Sequence, residues 1–127
     1  MTPNAAELRK WIGRALALHN KLVPVEQAVE GLAGVWGNHV ILRERDSLRT
    51  QEGIARMELN EMLSGARLSP RQYTIMNLHY LQYYSWTKIA DRLQIERRYA
   101  LQVHIQAIER LSEQFEAPPV LQKRTVG

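Results

Sequence analysis

Residues Tyr83 to Ile108 read YYSWTKIADRLQIERRYALQVHIQAI, two helical patterns separated by a three-residue break. Ser85 is placed to cap a short first helix that ends near Leu93, and Glu96 or Arg97 opens a longer second one. In the first, Trp86, Ile89, Ala90 and Leu93 fall on one side, with the small Ala90 where two helices must approach closely. Ile95 is expected to plug the turn. In the second, Ala100, Val103, Ala107 and Leu111 cluster within about 80° at 100° per residue and make a core stripe.

Arg97, Arg98, Leu101 and Gln102 fall outside that stripe, in the first turn and a half. A helix-turn-helix presents side chains to base edges from that part of its second helix. Arginine can fork onto guanine or hold phosphate, glutamine can pair with adenine, and Lys88 and Arg92 on the preceding helix are placed to meet the flanking backbone. The competing reading is an α-hairpin in a bundle whose arginines are a solvated face. Gln94 stands where such turns often carry glycine, and Leu101 is apolar at a position expected to face DNA. Leu101, Ile105 and Ile108 form a second apolar stripe, to be covered by another helix or by a partner protein.

Working outward, Ser69, Pro70 and Gln72 supply an N-cap oxygen, a proline at the first helical position and a glutamine that reaches back, opening a helix over 69–82. Ala117-Pro118-Pro119 stops the last helix near Phe115. The remaining tail, with Lys123 and Arg124, lacks an apolar face and reads as mobile. Upstream, Asn4 and Glu7 form a capping-box pattern for a first helix over about 5–21. Pro24 suits the first turn of a second helix bearing Val25, Ala28, Val29 and Leu32, and Ile54, Met57, Met62 and Leu63 mark a third over 50–63. Asn38 to Thr50 stays open between helix and loop, with Arg43, Arg45 and Arg49 exposed. The fold class is all-α: a small helical domain ending in a helix-turn-helix. The expected division is a helical partner-contact region over 1–64, the DNA-binding region over 65–116, and a flexible tail over 117–127.

The 127-residue chain has a net charge of +4 and no cysteine. That absence excludes disulfides, thiolate catalysis and cysteine-held metals. Residues 1–64 carry eight Lys/Arg against eight Asp/Glu, and residues 65–127 nine against five, so the whole excess lies where a polyanion would dock. No apolar run approaches the roughly 20 residues that span a bilayer and no signal-peptide pattern opens the chain, so the expected location is the cytoplasm. His19, His39, His79 and His104 show no metal-site spacing and read as polar rim or groove residues, and no phosphate loop, nucleophile elbow or catalytic carboxylate pair is present. The chain reads as a non-enzyme without metal or cofactor. Tyr80, Tyr83 and Tyr84 read as core anchors with a wet hydroxyl, the alternative being stacking on single-stranded bases. Trp11 and Trp36 read as core.

The stretch LSPRQYTIMNLHYLQYYSWTKIADRLQIERRYALQVHIQAIERL, Leu68 to Leu111, resembles region 4 of bacterial sigma factors, which reads the promoter −35 element. The resemblance puts Arg97, Arg98, Leu101 and Gln102 at DNA-reading positions, with Leu101 departing from the basic residue common there. Trp36-Gly37 in LAGVWGNHVILR, then QEGIARMEL, then Tyr80, Tyr83, Tyr84 and Ser85, is similar to the Q-type antitermination proteins of lambdoid phages and prophages. That resemblance implies a factor that binds double-stranded DNA beside a promoter in a bacterial host. Such a factor engages paused RNA polymerase with its sigma factor and lets the enzyme read through terminators, with nascent RNA as a further candidate partner. Arg43, Arg45, Arg49, Ile105 and Ile108 are the candidate partner surface. The neighbouring readings are a phage late-gene activator acting at initiation and a helical protein-binding adaptor.

Overall fold

A computed structural model describes residues 2–31 and 39–119. Six helices follow in order: α1 (Pro3–Ile12), α2 (Arg14–Gly31), α3 (His39–Gly65), α4 (Pro70–Tyr80), α5 (Trp86–Leu93) and α6 (Arg97–Gln114), with no strand among the described residues.

The N-terminal helices differ from the expected ones. A single helix over 5–21 does not form: the chain breaks at Gly13, and α2 then runs without interruption through Pro24. Proline costs least near a helix start, and here it is tolerated inside because Pro24 sits in an exposed part of a helix held by α3. Thr2, not Asn4, caps α1, its hydroxyl accepting from the Ala5 N–H at 3.1 Å, with Pro3 at the first helical position. Asn4 instead clasps the far end of the chain. Its amide donates to the Ser112 and Phe115 carbonyls, each at 3.1 Å, and its carbonyl accepts from the Ala117 N–H at 2.9 Å.

The open segment after Asn38 is helical and merges with the helix expected over 50–63, giving the 27 residues of α3. Pairs between α2 and α3 run in opposite order along the two helices: Arg14 with Glu58 at 2.9 Å, His19 with Glu52 at 3.6 Å, Glu26 with Arg49 at 2.9 Å. The two helices are therefore an antiparallel hairpin. The half of it furthest from the core is thinly covered, since no residue of α3 from His39 to Ile54 is buried. Leu32, Trp36 and Gly37 lie outside the described residues, as does the tail from residue 120.

Two apolar clusters share α4 and α6. On one side Ile75 and Leu78 of α4, Ile89 of α5, and Ala100 and Val103 of α6 close the helix-turn-helix, with Trp86, Leu93 and Ile95 packed on them. On the other, Met76 and Tyr80 of α4 and Ala107, Ile108 and Leu111 of α6 meet Ala5, Leu8 and Ile12 of α1 and Leu59, Met62 and Leu63 of α3. The expected α6 stripe is the observed one. Trp11 is half-buried against the second cluster, with the Arg14 guanidinium 4.3 Å from its ring centre. Ile108 leaves the candidate partner surface: it is fully buried, because of the two covers expected for its stripe, another helix or a partner, α1 supplies the first.

The caps of the C-terminal half follow the sequence. Ser69 accepts from the Gln72 N–H at 3.2 Å while Gln72 Oε1 accepts from the Ser69 N–H at 3.0 Å, a reciprocal capping box. Ser85 accepts from the Lys88 N–H at 3.1 Å. α5 ends on Gln94 in the left-handed conformation, φ 55° and ψ 47°. The Ile95 N–H returns to the Ala90 carbonyl at 3.0 Å and the Gln94 N–H to Asp91 at 3.4 Å, the hydrogen-bond pattern that usually carries glycine. Left-handed backbone costs a residue with a Cβ about 1–2 kcal/mol, and the freer unfolded state of glycine returns about 0.4–1 of that. Gln94→Gly should therefore raise stability by roughly 0.5–1 kcal/mol, read as a shifted denaturant midpoint. A loss would mean that the Gln94 amide, donating to the Asp91 carbonyl at 2.9 Å, outweighs the backbone.

Candidate nucleic-acid interface

α5 and α6 cross over the first cluster and turn their other sides outward. On α5 the outward cations are organised by one tyrosine. Tyr84 is half-buried against the helix-turn-helix core, Lys88 Nζ lies 4.0 Å from its ring centre, and the Arg92 guanidinium lies 5.8 Å away and donates to the Tyr84 hydroxyl at 3.3 Å. A cation over an aromatic face is attracted by about 0.5–1 kcal/mol at an exposed site, enough to bias two long side chains toward one direction. Tyr84 is thus a positioning residue that sequence reasoning placed only as an anchor. Tyr84 lies just before the Ser85 cap, outside α5, so only the step from 88 to 92 is legible as helical spacing and its contact with both cations depends on the fold of the link.

On α6, Arg97 and Arg98 are exposed in the first turn, and the N-cap residue Glu96 makes no side-chain capping bond. Cations at a helix N-terminus oppose the helix dipole by about 0.3–1 kcal/mol each. Among the described residues Lys88, Arg92, Arg97 and Arg98 have no carboxylate within 4.0 Å, which they share with most of the other cations; what sets them apart is that all four are exposed on the same helix-turn-helix. Gln102 is exposed one turn beyond Arg98, and Leu101 is half-buried at the edge of the same face. Lys88, Arg92, Arg97, Arg98 and Gln102 therefore all open to solvent on the helix-turn-helix.

The residues expected on a partner surface are not brought together. Arg43, Arg45 and Arg49 lie on α3, where Arg45 is tied to Asp46 at 3.1 Å and Arg49 to Glu26. Ile105 is on α6, 42 % exposed, and Ile108 is in the core.

Beneath the interface sits a buried polar cluster. His104 of α6 is 1 % exposed, not a rim residue as its sequence context suggested. Its Nε2 and the Tyr80 hydroxyl form a 2.5 Å hydrogen bond, and its Nδ1 has no partner among the described residues. The ring lies 4.7 Å from that of Trp86, which in turn stacks on His79 at 4.0 Å. Burial, then the Arg9 charge and His79, holds His104 down to about 3, so it is neutral. Burial also lowers His79, whose Nδ1–H donates to the Tyr84 carbonyl at 2.8 Å, and raises Tyr80.

The link between α4 and α5 is strained. Tyr83 has φ 63°, which is uncommon outside glycine. It is held there by a ring stack with His19 at 4.0 Å, a hydroxyl donated to Glu52 at 2.6 Å, and Arg56, which also reaches the Leu81 carbonyl. Burial, then the bond to Glu52, pushes the Tyr83 hydroxyl up to about 12. The α2–α3 hairpin is thereby fixed to the helix-turn-helix.

A family model described as "Putative helix-turn-helix protein, YlxM / p13 like" matches residues 54–125, more than half of the chain. The protein belongs to that helix-turn-helix family. No curated protein and no solved structure matches the chain. Among the described residues no helix is long and apolar enough to cross a membrane, and no three His, Asp or Glu side chains gather as a cation site.

Proposed function

We propose that the protein is a DNA-binding transcription regulator whose α6 enters the major groove. The observation that carries this reading is the cluster of exposed cations on one helix-turn-helix, two of them at a helix end that disfavours positive charge. A polyanion offsets that repulsion. Arg98 and Gln102 face base edges, Arg97 meets bases or phosphate at the groove entrance, and Lys88 and Arg92, set by Tyr84, hold the flanking phosphates.

Arg98→Ala should cost about 1–3 kcal/mol at the cognate site and relax its sequence preference. Lys88→Ala should weaken specific and random duplex alike and reduce the salt dependence of binding. Fluorescence anisotropy on both duplexes across a salt series reads the difference. Equal losses on both duplexes for Arg98→Ala would remove its base-reading role.

The finer reading is antitermination of the Q type. Its support is the resemblance in the tyrosine-rich stretch, together with a thinly covered α2–α3 hairpin that offers protein surface to RNA polymerase and its sigma factor. Arg43, exposed on α3, is the first residue to test there. In single-round transcription across a strong terminator, readthrough should rise while the number of initiated transcripts stays level. More initiation at unchanged readthrough would replace this reading with that of an activator. The adaptor reading is weakened by the burial of Ile108, which leaves its apolar stripe incomplete.

A further inference from the structure

Ile105 is the exposed apolar residue that neither the core nor a partner stripe accounts for. Its neighbour along the expected stripe, Ile108, is under α1, and Leu101 is half-buried. At 100° and 1.5 Å per residue, Ile105 points within about 20° of Arg98, two turns and about 10 Å further along α6, and within about 60° of Gln102. All three lie opposite the core stripe of Ala100, Val103, Ala107 and Leu111 and are open to solvent. A helix that turns Arg98 and Gln102 toward base edges turns Ile105 toward them too. Ten ångströms along a helix lying in the major groove reaches past the neighbouring base pair, where successive pairs rise about 3.4 Å along the duplex axis.

An isoleucine facing the major groove has no hydrogen bond to offer. The apolar group displayed there by an unmodified base pair is the C5-methyl of thymine. One turn further on, Glu109 is exposed in nearly the same direction, and its carboxylate would meet phosphate, so the reading stripe ends at Ile105.

We infer that Ile105 is a specificity-determining residue, contacting the methyl group of a thymine at a fixed offset, beyond the neighbouring pair, from the base engaged by Arg98. The inference rests on the DNA-reading function proposed above. It narrows the ligand to duplexes with a thymine at a fixed offset.

The test begins by selecting duplexes from a random library with the full chain. Each thymine of the selected site is then replaced in turn by deoxyuracil, which pairs identically and lacks only the methyl group. At one thymine, deoxyuracil should weaken wild-type binding about fourfold, the effect of leaving one methyl group unburied. Ile105→Ala should bind the thymine and deoxyuracil forms equally. Either of two results overturns the inference: no replacement changes wild-type affinity, or the sensitive one weakens wild type and Ile105→Ala by the same factor. In both cases the site still discriminates against Arg98→Ala, so the DNA-reading function survives. Failure of the library to enrich any sequence would instead sink base reading, and this inference with it.

Discussion

Between pH 6.5 and 4.5 the protein should lose about 2–3 kcal/mol of folding stability through His104 alone, about 1.4 kcal/mol per pH unit. The unfolded chain takes up a proton on this histidine near its ordinary value of 6.5, whereas in the fold burial keeps it neutral down to about 3. Across that window the unfolded state binds more protons, so stability falls as pH falls and is flat above it. His79, also lowered by burial, acts in the same direction, and Arg9 is the nearby cation that a second positive charge would meet. His104 touches α4 through Tyr80 and α5 through Trp86, so the charge it would take up lies inside the helix-turn-helix. Denaturant midpoints at pH 7.5, 6.5 and 5.5 measure it above the range of most carboxylates. The double variant Tyr80→Phe/His104→Leu removes both hydrogen-bonding partners together and should flatten the slope. If it keeps the wild-type slope, the acid sensitivity resides elsewhere.

Ile108→Ala should cost about 2–5 kcal/mol, while Ile105→Ala, three residues earlier on the same helix, should cost no more than about 0.5. The contrast follows from 0 % against 42 % exposure. Truncating Ile108 leaves a hole against Leu8 and Ile12 of α1 that the packed surroundings fill only in part. Urea unfolding of the two variants decides the matter. Small, equal losses would return Ile108 to the surface and detach α1 from α6.

Periodicity and capping chemistry carried the C-terminal half: the bonds of Ser69 with Gln72, of Ser85 and of Ile95 all close within five residues, and the α6 stripe repeats every three or four, so sequence spacing is structure there. The errors lie where long-range contacts decide. Asn4 looks like a cap until the distant backbone of Ser112 and Phe115 claims its amide. Pro24 looks like a helix start until α3 holds the helix straight through it. Ile108 and His104 have the spacing of an outward face and a rim, and only the docking of α1 and the approach of Tyr80 make them core. In the candidate site the charged residues were visible as charges. Their arrangement around Tyr84, and the separation of Ile105 from Ile108, came from the packing of α4, α5 and α1.

The Asn4 clasp also sets an order of events during synthesis. Its partners begin 108 residues further along the chain, which at 5–20 residues per second takes roughly 5–20 s to emerge from the ribosome. For that interval Leu8 and Ile12 have no α6 to rest on. Until then α1 can rest only on α3, through Leu59, Met62 and Leu63, and its final seat waits for α6, the last of the six helices.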